Sequence, residues 1–495
     1  MSQLKKRSVA ASFLFKFPHN DTALPPQVAL FRRSGNVRTY QYITPTLCSV
    51  EQADSSPLET AWREIHEETS LDNTSIRLFR QGKPYNFRDD SIGREWTINP
   101  FAFTLSLDSD AAQAAIKLDW EHESYAWFEL DELLASEDDF PSGVPKLLES
   151  LRRVWFEADL GSDAGKVLRE GLERLQGDHE SGARVLASKA LEVFTQVITG
   201  LERDNSEDWW WKVRLAGWHL WKNGRESMGA SVLSIVLSSL AAVERHLPEA
   251  GATISSETVQ RCLEDIETLE EHRQNSSGNI GLGLAIYIFT TFPQDDAQKP
   301  LRILTLSCSS TITHSLNTLA TKASRPLQVR ILESRPLFEG VTMASRISNA
   351  SCKVTLYTDA SAAVAARDVH LVLLGADLID AAGNVSNKTG SLPAVLAARH
   401  MSPAAKVVVV AEKEKVLPFA PPAHDEENDP REVTSTWENS AASAGGVDVK
   451  NVYFEWVPAS MIDRYVTEDG MLEAQDVERL AEDERTRAAK LFDGI

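Results

Sequence analysis

Along this 495-residue chain the spacing of apolar and polar positions changes twice. Up to about residue 155 two patterns mix. SVAASFLFKF, QVALFRR and WTINPFAFTLSL have the alternation or short apolar runs of strands, and YAWFELDELLA reads as a strand running into a helix. Between them SSPLETAWREIHEET predicts a helix, with Ser56 as N-cap, Pro57 in the first turn and Glu59 three residues after the cap. From about 156 to 290 apolar residues recur every three or four positions, as in SGARVLASKALEVFTQVITGLE and GASVLSIVLSSLAAVERHL, which predicts helices almost throughout. After Pro300 the pattern becomes short runs rich in Val, Ile and Leu: LRILTLSCSS, LQVRILES, KVTLYTDA, HLVLLGAD and AKVVVVAE. Helical stretches such as STITHSLNTLATKA and SLPAVLAARHM separate them. Buried strands alternating with helices predict a doubly wound parallel sheet.

These shifts divide an α/β and α+β multidomain chain into 8–155, 156–295 and 296–495. The polar, acidic, Pro- and Gly-containing stretch at about 420–446 is expected to be a flexible insertion in the last of these. The five tryptophans Trp209, Trp210, Trp211, Trp218 and Trp221 have the spacing of a buried helix face.

Composition narrows the function. A formal net charge of −21 argues against a nucleic-acid scaffold, which needs basic surface, but leaves room for a local basic pocket holding a small phosphorylated ligand. Cys48, Cys262, Cys308 and Cys352 are scattered, with no CxxC pair and no histidine at metal spacing. That predicts free thiols in a reducing compartment and no zinc site. The apolar run near the N-terminus is interrupted by Lys16 and reads as a strand rather than a signal peptide. The run VLSIVLSSLAAV is too short to cross a bilayer. The expectation is a cytoplasmic protein with neither membrane nor nucleic acid as a partner.

Candidate chemistry gathers at the carboxyl ends of the C-terminal strands, where doubly wound sheets bind ligands. LRILTL ends at Ser307-Cys308-Ser309-Ser310, LQVRIL at Glu333-Ser334-Arg335-Pro336, and HLVLLG at Ala376-Asp377, followed by Gly383-Asn384-Val385-Ser386-Asn387-Lys388-Thr389-Gly390. An arginine, a lysine, an asparagine, a carboxylate and a thiol can converge there as a phosphate pocket with an acid/base pair. The same residues also have plainer readings. Asp377 can close a turn or cap a helix, Cys308 can pack as a small apolar residue, and Arg335 can pair with Glu333 or Glu339 on the surface. In the N-terminal part, Glu64, Glu67 and Glu68 of REIHEE lie three and four apart on one helix face. They can hold Mg²⁺ with bridging diphosphate oxygens, or form a solvated face with an Arg63–Glu67 pair.

Five segments in order, ILTLSCSS, ILESRPLFEG, LVLLGADLIDAAGNVSNKTGS, VVVVAEKEKVLPF and WVPASMIDRYVTEDG, resemble ribose-1,5-bisphosphate isomerases. They are also similar to methylthioribose-1-phosphate isomerases and to the alpha, beta and delta subunits of translation initiation factor 2B. The resemblance covers roughly 205–495 and implies a Rossmann-like domain behind a helical one. It implies aldose–ketose isomerisation of a phosphorylated ribose-type sugar without a cofactor, Asp377 as base and Cys308 as partner acid. The family's cysteine position aligns with Ser307, one residue before the thiol. Phosphate-binding positions carry over to Arg214, Arg225, Arg335, Asn387 and Lys388, and Ser307 would line the pocket. A homo-oligomer formed through the C-terminal domain is implied as well. QVALFRR, SSPLETAWREIHEETSL, GREWTINPFAF and DWEHESYAWFELDEL, over about 8–155, look like a Nudix domain, an α/β/α sandwich that uses Mg²⁺. Its box departs at several points: Cys48 or Ser49 replaces the opening glycine, Asp54 stands for an early glutamate, and Ser70 replaces the glycine after Glu67-Glu68. The leading expectation is therefore a sugar-phosphate isomerase-like protein. The rivals are a non-catalytic sensor or assembly module that binds a sugar phosphate or nucleotide, and a Mg²⁺-dependent hydrolase of a nucleoside diphosphate derivative.

Overall fold

A computed structural model describes residues 5–18, 24–35, 43–51, 54–90, 93–105, 113–114, 116–135, 143–292, 299–322, 325–347, 352–421, 428–437 and 447–495. The N-terminal strands β1 (Lys5–Lys16), β2 (Gln27–Arg33), β3 (Ile43–Thr44), β4 (Thr46–Ser49), β5 (Ile76–Gln81), β6 (Tyr85–Asp89), β7 (Arg94–Leu105) and β8 (His122–Glu129) form one mixed sheet. β1 runs parallel to β7 and antiparallel to β2 and β4. Its side chains alternate between two cores, as a period of two demands. Ala10 and Leu14 face helix α1 (Pro57–Thr69), where Ala61 and Ile65 are buried. Phe13 and Phe15 face α2 (Leu130–Leu134) and α3 (Leu147–Val154). α1 begins as its sequence predicts: Pro57 opens it and the Ser56 hydroxyl accepts from the Glu59 N–H at 3.2 Å.

Five helices follow: α4 (Glu157–Gln176), α5 (Ala183–Gly200), α6 (Ser206–Asn223), α7 (Gly229–Glu244) and α8 (Ser256–Thr291). The stretch Glu226–Glu244 is apolar enough to cross a membrane by composition, but 72% of it is buried against the surrounding protein, so it is the central core helix. Trp209, Trp218 and Trp221 are buried in the same core, and Trp218 packs edge-on against Trp221 at 5.0 Å.

The C-terminal elements are β9 (Leu301–Leu306), α9 (Ser310–Lys322), β10 (Leu327–Leu332), α10 (Glu339–Ile347), β11 (Cys352–Tyr357), α11 (Ala362–Ala365), β12 (Leu371–Leu374), β13 (Leu378–Ile379), β14 (Val385–Lys388), α12 (Ser391–Met401), β15 (Lys406–Val410), α13 (Pro430–Thr434), β16 (Phe454–Val457), β17 (Arg464–Thr467), β18 (Gly470–Leu472) and α14 (Ala474–Leu491). The main sheet has the order β11-β10-β9-β12-β15-β17-β18, parallel up to β17. The chain builds outward from β9 to β11, then returns and builds the other way from β12. The direction therefore reverses between β9 and β12, where a crevice opens at the strand ends. β13, β14 and β16 form a small antiparallel sheet beside it.

The expected flexible insertion has a different character. Residues 422–427 and 438–446 lie outside the described residues, but 428–437 are packed. Asp429 caps α13, and Glu432 accepts hydrogen bonds from Asn451 and from the Tyr453 hydroxyl. The first domain is also joined to the helices by buried polar groups. Arg80 makes two hydrogen bonds to Glu157, at 2.6 and 2.7 Å, within a ring of Phe79, Trp155 and Phe156. Asn223 exchanges hydrogen bonds with the backbone of Gln81 at 2.6 and 2.8 Å.

Candidate functional site

The crevice between β9 and β12 is a cavity of about 530 Å³. Two glycines shape its walls. A Cβ on Gly340 would stand 1.9 Å from the Leu332 carbonyl, so only glycine lets α10 lie against the end of β10. That approach brings Glu339 to the Ser307 hydroxyl, which donates to its carboxylate at 2.9 Å, and to Lys388, 3.4 Å away. Gly390 has φ +107°, and Glu455 accepts from the Gly390 and Leu392 N–H groups to cap α12. The Asn387 amide donates to Ser391 at 2.9 Å, so it holds this turn while also lining the cavity. The Lys388 ammonium sits over the Tyr453 and Phe454 rings, at 4.6 and 4.8 Å.

Asp377, Cys308, Ser307, Asn387 and Lys388 all line this one cavity. The choice between Ser307 and Cys308 posed by the sequence does not arise, because both face it. Ser307 has φ +60°, which turns the chain at the strand end and presents two consecutive side chains. The Cys308 thiol lies 3.4 Å from the Arg346 guanidinium. Its pKa is nevertheless raised: burial outweighs the lowering by Arg346, and Glu339 adds to the rise. At neutral pH Cys308 is therefore a protonated donor. Alkylation of Cys308 by iodoacetamide should be slow at pH 7 and accelerate only in alkaline solution. Peptide mapping showing rapid modification at pH 7 would contradict this placement. Cys262 and Cys352, held at about 11 by burial, serve as unreactive internal references.

Three of the proposed phosphate-binding arginines lie elsewhere. Arg214 on α6 donates to backbone carbonyls of Leu491 and Asp493 at the end of α14 and packs over Trp210. Arg225 is buried and donates at 2.6 Å to the Asp178 carbonyl, so it supports the loop beside the cavity rather than lining it. Arg335 is exposed, donates to Thr436, and lines a small neighbouring recess that also contains Lys388. Side-chain direction and loop docking decide these positions, and one-dimensional spacing carries neither. Conversely, the sequence reading passed over the α4–α5 connection His179–Gly182, the start of α5 with Arg184, and also Glu339, Glu412 and Lys415. The only sequence hint was the Gly-Asp-His-Glu-Ser-Gly break in the helical pattern at 177–182. α5 follows Gly182, which offers it no side-chain cap. Its positive end therefore lies at the cavity wall, an environment that favours anions.

The carboxylates of α1 do not assemble as a trio. Arg63 ties Asp54 at 3.1 Å, Glu64 at 2.5 Å and Glu67 at 3.1 Å into one ion-pair cluster. Glu64 and Glu68 are buried whereas the Glu67 side chain is 55% exposed. Among the described residues no three His, Cys, Asp or Glu side chains are placed to hold a metal. The predicted Glu64, Glu67 and Glu68 set does not fit Mg²⁺ in this arrangement, because a guanidinium already neutralises two of the three. Glu68 has a different fate. Its Oε2 is buried without a partner, and burial together with Glu64, Asp119 and Glu121 pushes its pKa up to about 9. The folded protein holds this proton up to about pH 9, while an unfolded chain releases it near 4.5. The stability it contributes is therefore complete below about 4.5 and lost as pH rises through 9. Glu68→Gln in EDTA should gain steadily on the wild type as pH rises from 5 to 9. Parallel melting curves between pH 5 and 9 would show that Glu68 is not strained.

The strand-end cavity at a switch point, with a carboxylate, a thiol and a lysine, defines a Rossmann-like unit of the kind that binds small ligands. Residues 179–474 match the Initiation factor 2 subunit family, and the chain belongs to that family. Residues 26–151 match the NUDIX domain. The methylthioribose-1-phosphate isomerase of Magnetococcus marinus is 28% identical over 253 residues, 48% of this chain and 70% of that protein. The ribose 1,5-bisphosphate isomerase of Haloferax volcanii is 28% identical over 34% of this chain and 52% of that protein, so the chain spans about half its length. Among solved structures, a translation initiation factor 2B protein of Pyrococcus horikoshii is 23% identical with a TM-score of 0.44, covering 63% of this chain and 98% of that one. The 5-methylthioribose 1-phosphate isomerase of the same organism is 18% identical with a TM-score of 0.47, covering 64% and 87%.

Proposed function

We propose that the C-terminal unit binds a phosphorylated ribose-type sugar in the strand-end cavity and interconverts its aldose and ketose forms. The observation that carries this reading is that Asp377, Cys308 and Lys388 line one cavity at the switch point. The names of the relatives, both sugar-phosphate isomerases, support the substrate class. Asp377 is half-buried, and its backbone N–H is fixed at 2.9 Å to the Ser386 carbonyl. Its carboxylate takes a proton from one carbon of the open-chain sugar. The protonated Cys308 donates to the carbonyl oxygen or the neighbouring carbon, and Lys388 holds the phosphate. No cofactor is required for this proton shuttle. The sugar phosphate is the partner this reading names, and we also propose a homo-oligomer formed through the C-terminal unit. A sensor that binds without converting has one observation in its favour: the raised pKa of Cys308, which slows proton recycling.

The deciding experiment is thermal shift of the full chain against a panel of pentose phosphates, followed by a turnover assay on those that bind. A ligand that binds only the folded protein raises the melting temperature by mass action. Lys388→Ala should weaken the best ligand by about 10- to 150-fold, the equivalent of a charge-assisted hydrogen bond of about 1.5–3 kcal/mol. Unchanged affinity removes Lys388 from the site. Binding without turnover selects the sensor.

A further inference from the structure

The strand-end cavity takes its walls from two parts of the chain. Ala183, Arg184 and Met228 come from the helical segment, whereas Leu306, Gly375 and Val410 come from the ends of β9, β12 and β15. Its shape therefore depends on how the two parts are held together. α8 is an element that spans them. Its first half contributes Val259, Cys262 and Ile266 to the helical core, and its second half contributes Ile280, Leu284 and Ile288 to the core of the sheet. Between Ile266 and Ile280, Ser276 alone is buried among the described residues, so apolar packing does not fix the middle of this helix.

Arg273 lies in that span and reaches across to the short helical turn Lys413–Lys415 that follows β15. Its Nε donates to Glu414 Oε2 at 2.7 Å and its Nη2 to Oε1 at 3.1 Å, a two-pronged fork. Its Nη1 donates to Glu270 at 2.5 Å and to the Ser188 hydroxyl of α5 at 3.3 Å. The Arg273 and Glu414 side chains are 13% and 10% exposed, so water competes weakly for either. Neither residue lines the cavity, but the turn they clamp does, through Glu412 and Lys415. The backbone ties that turn to the sheet side: the Lys415 N–H donates to the Glu412 carbonyl at 3.1 Å, and the Leu417 N–H to the Ile379 carbonyl at 2.8 Å. We propose that Arg273 is a positioning residue: by holding Glu414 it sets the turn after β15 against α5, and so fixes this cavity wall in its ligand-competent arrangement. The consequence for binding rests on the reading of the cavity as a sugar-phosphate site; the consequence for the turn does not.

The test uses the full chain as wild type, Arg273→Met, Arg273→Lys, Glu414→Gln and the Arg273→Met/Glu414→Gln double variant. Arg80→Ala serves as a control destabilised at the other junction. Amide hydrogen exchange is followed over residues 411–417, and affinity for ribose 1,5-bisphosphate by calorimetry well below every melting temperature. Arg273→Met should speed exchange over 411–417 more than in β15. It should also weaken the bisphosphate about tenfold, as when the competent arrangement falls to about a tenth of the molecules. Arg273→Lys, whose ammonium cannot make the fork, should fall between. Glu414→Gln should move both readouts the same way, and the double variant should lose no more than Arg273→Met alone, because the two residues act as one pair. Arg80→Ala should lose stability and keep its affinity. Unchanged exchange over 411–417 in Arg273→Met overturns the assignment. So does wild-type affinity despite faster exchange, or an affinity loss that Arg80→Ala shares, since either marks a merely structural residue. If the bisphosphate does not bind the wild type, the sugar reading fails, and exchange alone decides whether Arg273 positions the turn.

Discussion

Arg80→Ala is expected to cost about 3–5 kcal/mol of stability, the range for removing one partner of a buried ion pair. The Arg80 side chain is 2% exposed and that of Glu157 is 13% exposed, so water cannot replace the lost guanidinium. The fork geometry matters as much as the charge, since both Glu157 oxygens accept from Arg80. The guanidinium is also 3.9 Å from the centre of the Phe156 ring and 4.4 Å from that of Phe79, contacts that alanine forfeits. Because Arg80 belongs to β5 and Glu157 to α4, the damage falls on the junction between the NUDIX domain and the helical segment. Urea unfolding followed by tryptophan fluorescence should show a lower midpoint, and limited proteolysis should cut near 155–160. Arg80→Lys should recover only part of the loss. A loss of less than 1 kcal/mol in Arg80→Ala would mean that the pair is not structural.

Asp377→Asn is expected to lower isomerase turnover by at least about a hundredfold while leaving ligand affinity within a few-fold of wild type. General base catalysis contributes roughly 10²–10⁴-fold, and asparagine keeps the shape of aspartate without its basicity. Among the described residues the carboxylate makes no bond to a side chain that asparagine would break, and the backbone bond to Ser386 is independent of the substitution. Binding should therefore survive. The assay pairs calorimetry with single-turnover kinetics on the best sugar phosphate. Retained turnover in Asp377→Asn shows that another group removes the proton. Equal loss of binding and turnover assigns Asp377 to recognition rather than to chemistry.

How much of this was legible in one dimension depends on what kind of information each residue carries. Period and capping are local, so the strand SVAASFLFKF, the Ser56-capped helix and the five parallel strands after Pro300 could be read directly. The short strands β3 to β6 were not, because two to six residues of mixed polarity carry too weak an alternation. The strand ends pointed to Ser307, Cys308, Asp377, Asn387 and Lys388 as neighbours, since a doubly wound topology brings carboxyl ends together. Arg214 and Arg225 rest on the family resemblance alone, and Arg335 on that resemblance and its strand end. Each is held elsewhere by a carbonyl or hydroxyl that docking of distant segments supplies.

The sequence by itself determined a strand-and-helix N-terminal part, a helical middle, a parallel sheet after Pro300, and which strand ends carry polar groups. These follow from periodicity, charge and residue type, all properties of neighbours along the chain. Only the tertiary structure decided protonation and partnership. Glu68 is driven up to about 9 first by burial and then by Glu64, with Asp119 and Glu121, some fifty residues away, adding to the rise, and Cys308 is raised by burial that no local pattern reports. Glu412 and Glu414 read as two of many charges in AEKEKV until folding places them against Arg184 and Arg273. Desolvation and pairing depend on what arrives from elsewhere in the chain, so they exist only in the folded protein.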